Sequence, residues 1–343
     1  MRILVLHQFY TRFNEPGVSR FNVFAKYWKE ERYSTTVIAG GWRSALAGLF
    51  ISRPSFIIAS SPPLLQGLLG YALSRIWRVP FVLDVPRLSP DEPASVSCRL
   101  RRFLYSRARN VVVSSPGFKQ FLVARGEVPE EKVGVVPNPI EFESIRDATR
   151  EGFLLRRQFS WSDKCVVLCC GAFGTLHDFD TVLHTAREVW EEGNDHIHFV
   201  FLGNGRQKFQ NVQFLDPVSR NKIPSYISAA DICVVSLRQN ELSRYVYVTS
   251  VLDSMSLKRP VIAAAEGVMA DLVSRHAKCG ISVPPEDSAR MKQAILQLAK
   301  NKTRRSLLGE QGYIFAKEHF SAPALAKRYL GYLYPSTSSG LRL

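Results

Sequence analysis

Short runs rich in Val, Ile and Phe alternate along this chain with longer stretches of helical period, in two successive series. In the first half the runs are RILVLH (2–7), TTVIAG (35–40), FIIASS (56–61), FVLDV (81–85), NVVVSS (110–115) and KVGVVP (132–137). Between them stand helical patterns such as SRFNVFAKYWKEE, PLLQGLLGYALSRI and GFKQFLVARG. A second series opens at CVVLCCG (165–171) and continues through HIHFVFLG, NVQFLD, ICVVSL, RPVIAAA and GISVPP. Such alternation makes repeated βα units and parallel sheets, because only a crossover lets the next strand run the same way. The segment NPIEFESIRDATREGFLLRRQF between the series is polar and lacks strand alternation, so the break is expected near residues 140–150. The expected fold class is α/β, with two facing Rossmann-like βα domains, 1–145 and 146–320, followed by a C-terminal segment, 321–343. Ligands of tandem βα domains bind at the carboxyl ends of the strands, in the cleft where strand order switches. Dehydrogenases and binding proteins fit that pattern equally well.

A chain of 343 residues suits two domains better than one core. Its 45 Lys and Arg against 30 Asp and Glu give a formal charge of +15, which favours an anionic partner. Six cysteines, Cys98, Cys165, Cys169, Cys170, Cys233 and Cys279, lie without zinc spacing. Most sit inside apolar runs and read as buried, reduced thiols of a cytoplasmic protein. The opening MRILVLHQFY has one early basic residue and a short apolar run, and reads as a first strand rather than a secretory signal. No run reaches the ~18 apolar residues of a spanning helix. Residues 62–80 come nearest and read as a buried helix, or as one lying in a membrane interface.

Specific residues narrow the choice. The opening LHQFY…EPGVSRFNVFAKYW…TTVIAGG resembles the start of family 4 glycosyltransferases, particularly the bacterial surface-polysaccharide branch. RPSFIIASSPPLLQGLLG, RRFLYSRARNVVVSSPGFKQFLVARGEVPEEKVGVVPN, FVFLGNGRQK, IPSYISAADICVVSL, RPVIAA and GISVPPEDSARMKQAILQLA follow in family order across nearly the whole chain. The resemblance implies a GT-B fold, with an acceptor-side first domain and a donor-nucleotide second domain. It also implies a last helix, about Ala322 to Leu333, that returns to the first domain. The loop at Gly17 opens a helix whose free N–H groups can face a phosphate. Gly203 and Gly205 permit close backbone approach, with Arg206 and Lys208 just beyond. Resemblance puts Asp253 on the ribose hydroxyls, a role that suits a carboxylate because both its oxygens accept. It puts FLDPV (214–218) by the base and the backbone at Glu266 and Gly267 near the donor sugar and phosphate.

Departures from the family pattern are as specific. The first of two acids usually spaced with Asp253 is Tyr245, and the Pro-Ser-Lys run before it is Val248-Thr249-Ser250. Lys258 stands for a glycine, and Asn138-Pro139 for Asn-Gly. After FVLDV the expected Arg-Asp-Leu-Trp-Pro-Glu reads Pro86-Arg87-Leu88-Ser89-Pro90-Asp91, leaving Asp84 and Asp91 as candidate acceptor-side carboxylates beside Arg87. His177 occupies the place of a phosphate-binding Lys and could donate when protonated. The first domain reads as shortened after TTVIAGG, with a reduced sheet.

Discharge of a nucleoside-diphosphate sugar needs groups that stabilise the leaving diphosphate. The candidates are Arg87, His177, Arg206, Lys208 and Lys258 with the backbone near Gly17 and Gly267, and neither metal nor cofactor is expected. The resemblance implies a retaining transfer from a nucleoside-diphosphate sugar to a lipid-linked or growing saccharide. A partner subunit with impaired chemistry, or a nucleotide-sugar epimerase of the same fold, are the alternatives; scattered basic residues argue against a nucleic-acid partner. In SCRLRRFLYSRARN the arginines Arg99, Arg101, Arg102, Arg107 and Arg109 form a basic strip, with Leu100, Phe103 and Leu104 turned to the sheet. That strip, beside the apolar helix, is expected to hold the chain at the inner face of an anionic plasma membrane.

Overall fold

Five consecutive residues of FIIAS, FVLDV and CVVLC are buried, with no alternation between faces. Strands of that kind must be covered on both sides, as parallel strands between helix layers are. The structure, a computed structural model, describes residues 1–7, 20–40, 51–87, 96–169, 171, 176–203 and 209–334. It divides into two units, Met1–Pro139 with Ala322–Leu343, and Ile140–Ser321.

Unit 1 carries β1 (Arg2–His7), β2 (Ser34–Ala39), β3 (Phe56–Ser60), β4 (Phe81–Val85), β5 (Asn110–Val113) and β6 (Val133–Val135). All pair in parallel, in the order β2-β1-β3-β4-β5-β6. The described helices are α1 (Arg20–Glu30), α2 (Leu64–Trp77), α3 (Val96–Arg107) and α4 (Pro116–Ala124). Helix α4 starts where Ser115 accepts from the Phe118 amide at 3.1 Å and Pro116 supplies a preset first turn. The stretch after TTVIAGG in which the first domain reads as shortened includes 41–50, outside the described residues.

Unit 2 carries α5 (Ile145–Gln158), β7 (Cys165–Cys169), α6 (Phe179–Glu191), β8 (Ile197–Leu202), β9 (Val212–Leu215) and α7 (Ile223–Ala229). It continues with β10 (Ile232–Ser236), α8 (Thr249–Ser256), β11 (Val261–Ala264), α9 (Gly267–Asp271), β12 (Gly280–Val283), α10 (Ser288–Lys300) and α11 (Lys302–His319). Its parallel order is β12-β11-β10-β7-β8-β9, two βαβαβ halves wound outward from β7 and β10. Burial pushes the thiols of Cys165 and Cys233 to about 11 and that of Cys279 to about 12, so they stay protonated and unreactive.

The last helix, α12 (Ala322–Gly331), packs in unit 1. Leu325, Ala326, Tyr329 and Leu330 share a core with Phe21, Phe24 and Trp28 of α1, and the Trp28 indole donates to the Ala326 carbonyl at 2.9 Å. Beneath them Arg20 pairs with Asp84 and donates to the Val136 carbonyl, while the Tyr329 hydroxyl donates to Asp84 at 3.1 Å. One guanidinium thereby ties α1, β4, β6 and α12 together.

Candidate functional site

In unit 2 the winding direction reverses between β7 and β10, which opens a crevice beyond their carboxyl ends. A pocket of about 500 Å³ lies there. Gly171 and His177 line it from the loop after β7, Leu202 from the end of β8, and Pro217, Val218 and Arg220 from the loop after β9. Tyr247, Val248, Thr249 and Ser250 close it from the segment that starts α8.

Each wall has a local cause. The His177 ring lies flat over Gly171, where a Cβ would meet ring atoms at 2.8 Å. It stacks on Phe179 at 5.8 Å, and its backbone pairs with Leu237. Asp178 then caps α6 by accepting from the Thr181 amide and hydroxyl. Burial lowers the His177 pKa more than its hydrogen bond to the Ser236 backbone raises it. The imidazole is therefore neutral at pH 7. A neutral ring has a single N–H, which the Ser236 carbonyl accepts, so the phosphate donation expected from sequence would need the imidazolium.

Helix α8 begins at the pocket behind Val248, whose side chain cannot cap it. The start of a helix carries about half a positive charge, which favours an anion. The Lys of the family run is Ser250 here, and Arg220 is the only Lys or Arg among the described residues lining the pocket. Arg220 stands 2.6 Å from Asp253, one turn into α8. Burial raises the Asp253 pKa, and the Arg220 charge partly offsets it. The Asp253 side chain keeps 16 % exposure, with its Oδ2 buried.

A glycosyl transferase 4-like domain model matches residues 7–139, and a glycosyl transferases group 1 model matches residues 164–301. The chain is a glycosyltransferase. Solved structures of similar fold include Anabaena Alr3699/HepE in complex with UDP and glucose, at TM-score 0.75 and 15 % identity, covering 97 % of this chain and 99 % of that one. A glycosyltransferase from Rickettsia africae matches at TM-score 0.76 and 15 % identity, over 98 % and 99 % of the two chains. The sucrose-phosphate synthase of Thermosynechococcus elongatus matches at 0.75 and 15 %, over 97 % and 98 %. No curated protein sequence matches the chain. Together these show two Rossmann-like domains with the GT-B fold.

Several residues singled out in the glycosyltransferase from sequence take other places. Asp84 is fully buried in the Arg20 pair, so no substrate hydroxyl reaches it; it anchors the core of unit 1 instead. Arg87 is exposed just beyond β4. Lys258 follows the far end of α8, paired with Glu310 at 2.8 Å and lying over the Tyr313 ring, and so does not face the pocket. Glu266 pairs with Arg244 at 2.7 Å. Gly267 has φ +63°, and a Cβ there would sit 2.2 Å from the Arg244 carbonyl oxygen. Its missing side chain thus makes room for the chain's own turn, Leu242–Tyr245, rather than for a ligand. Gly203 ends β8 with its amide on the Leu215 carbonyl, beside Leu202 of the pocket wall. Gly17, Asp91, Gly205, Arg206 and Lys208 lie outside the described residues. Arg220 and Tyr247 were not legible as site residues, because nothing in SRNK or YVYV marks which loop turns inward.

Proposed function

We propose that this glycosyltransferase binds a nucleoside-diphosphate sugar in the unit 2 pocket and transfers the sugar, with retention, to a lipid-linked or growing saccharide. The supporting observation is that the start of α8, Arg220 and the His177 ring line one crevice at the strand-order switch, with Asp253 paired to Arg220. In the reaction the bond from the anomeric carbon to the diphosphate oxygen breaks, and one from that carbon to an acceptor hydroxyl oxygen forms. The hydroxyl proton leaves, and a nucleoside diphosphate is released. Charge growing on the leaving oxygen meets the positive end of the α8 dipole and Arg220. Asp253 accepts from the ribose hydroxyls. Exposed Arg87 is the acceptor-side candidate of unit 1. The acceptor's lipid places the reaction at the inner face of the plasma membrane.

A thermal-shift panel of UDP-, GDP-, ADP- and dTDP-linked sugars tests the donor. A donor at 100 times its dissociation constant adds about 2.7 kcal/mol to stability. The relative crystallised with UDP-glucose makes the UDP arm the one expected to respond. No shift with any of the four would overturn the reading.

A further inference from the structure

At the opposite end of the unit 1 strands from Asp84 and Arg87, a second pocket opens at the starts of β4 and β5. It holds about 640 Å³ and is walled by Arg75, Arg78, Arg107 and Arg109, with Tyr71 and Ser106 between them. No acidic side chain lines it, and none of the four arginines forms an ion pair among the described residues. Arg107 lies over the Phe103 ring at 5.5 Å, and Arg109 reaches only the Leu333 carbonyl, at 3.5 Å. Lys132 adds a fifth cation, donating to the carbonyls of Ser106 and Ala108.

Helices α2 and α3 both end at this pocket. Their carboxyl ends favour cations, but each supplies only about half a negative charge. Against four guanidiniums that leaves roughly three positive charges uncompensated. Arg78 is also held at φ +52°, in the left-handed region where Gly would fit without cost. The surroundings therefore hold a cation where backbone geometry alone calls for glycine.

Beside the arginines the surface is apolar. Leu65, Leu69, Ala72 and Ile76 fall in one stripe of α2 by helical spacing. Leu65 is 44 % and Ile76 61 % exposed, so this face has no covering partner among the described residues. Phe103, expected to turn inward, is 38 % exposed and packs edge-on against Tyr71 at 5.2 Å. Arg101, expected in the basic strip, instead donates twice to Glu127 and is only 18 % exposed. The cationic face therefore centres on Arg75, Arg78, Arg107 and Arg109, with exposed Arg102 nearby on α3.

We infer that this pocket takes the phosphate of an anionic phospholipid headgroup while the α2 stripe sits at the boundary between headgroups and acyl chains. Bidentate guanidiniums match phosphate oxygens, and an exposed apolar stripe beside a basic cluster matches the two zones of an anionic bilayer surface. The inference rests on the membrane-face part of the proposed function and is independent of its donor.

The test uses the full chain with vesicles of phosphatidylcholine alone and of phosphatidylcholine mixed with phosphatidylglycerol. Wild type should sediment with the mixed vesicles and not with the neutral ones. Arg75→Ser with Arg78→Gly, the second change also relieving the positive φ, should weaken that binding about thirtyfold, the loss expected for two basic residues near an anionic surface. Ile76→Ser should weaken it without altering its dependence on salt. Each variant should melt no lower than wild type and keep the donor-induced shift, so loss of donor binding and loss of attachment read out separately. Equal sedimentation with both vesicle types, or unchanged binding of the arginine variant, would overturn the inference. Displacement by millimolar glycerol phosphate at constant ionic strength would assign the pocket to a soluble phosphate ester and overturn the bilayer occupant. A dimer lost in the Ile76→Ser variant would assign the stripe to a second copy and overturn it likewise.

Discussion

Asp253 and Arg220 show how one residue acquires a role from its neighbour. Burial pushes the Asp253 pKa up, and Arg220 at 2.6 Å opposes that shift by favouring the ionised form that accepts from hydroxyls. Asp253→Ala should weaken donor binding ten- to a hundredfold, since charge-assisted hydrogen bonds are worth about 1.5–3 kcal/mol. Calorimetry with the responding donor checks this, and unchanged affinity would remove Asp253 from the site. Arg220→Ala should cost about 1–2 kcal/mol of stability, less than a fully buried pair because Arg220 is 37 % exposed. Because the Asp253 pKa is raised, the ionised acceptor is lost on acidification earlier than an ordinary carboxylate would be. Donor affinity should accordingly fall on descending through a pH window above the usual Asp range. Titrating Kd against pH, for wild type and Asp253→Asn, reads this directly, and parallel profiles would contradict it.

At the scale of elements, helix α2 packs by leaving side chains out. A Cβ on Gly70 would stand 2.7 Å from the Ala59 Cβ on β3 and 2.9 Å from the Phe81 ring on β4. Helix propensity alone favours Gly→Ala by about 1 kcal/mol. Overpacking opposes it, at about 1–3 kcal/mol, and here meets a strand on one side and a ring on the other. Gly70→Ala should therefore destabilise the chain in urea despite the better helix former, and a raised midpoint would refute the packing argument. Helix α12 is the converse case, since it supplies bulk that unit 1 lacks. Leu325→Ala removes a fully buried side chain from the cluster around Trp28 and should cost 2–5 kcal/mol. The Trp28 fluorescence transition in denaturant reports that loss, because its indole is bonded to the same helix.

Across the molecule, His7 in unit 1 and His177 and His198 in unit 2 all have pKa values lowered, in each case chiefly by burial. A histidine neutral in the fold but able to protonate near pH 6.5 when unfolded makes the unfolded state the better proton acceptor below that pH. Stability from this source is complete above pH 6.5 and declines as pH falls toward the lowered values. The melting temperature should drop between pH 7 and pH 5.5, and His198→Gln, which spares the pocket, should flatten the drop. A flat profile in wild type would show that the buried imidazoles are solvated.

Two kinds of information divide this protein. The alternation of β-rich runs with helical stretches sufficed for two parallel α/β units, because burial on both faces leaves a signature in consecutive residues that needs no partner to be read. The ordered motifs sufficed for the glycosyltransferase assignment. Side-chain roles did not follow in the same way. Asp84 looks in sequence like a strand-end acid awaiting a substrate, and only the return of α12 and the reach of Arg20 reveal it as a core anchor. Gly267 looks like room for a ligand until Arg244 is seen to fill that room. Arg220 carries no local mark, yet it lines the pocket. Local patterning is written in residues near one another along the chain. Who pairs with whom is set by contacts across tens to hundreds of residues, so charge, burial and access at each site were decided only when the sheets and their crossing helices closed.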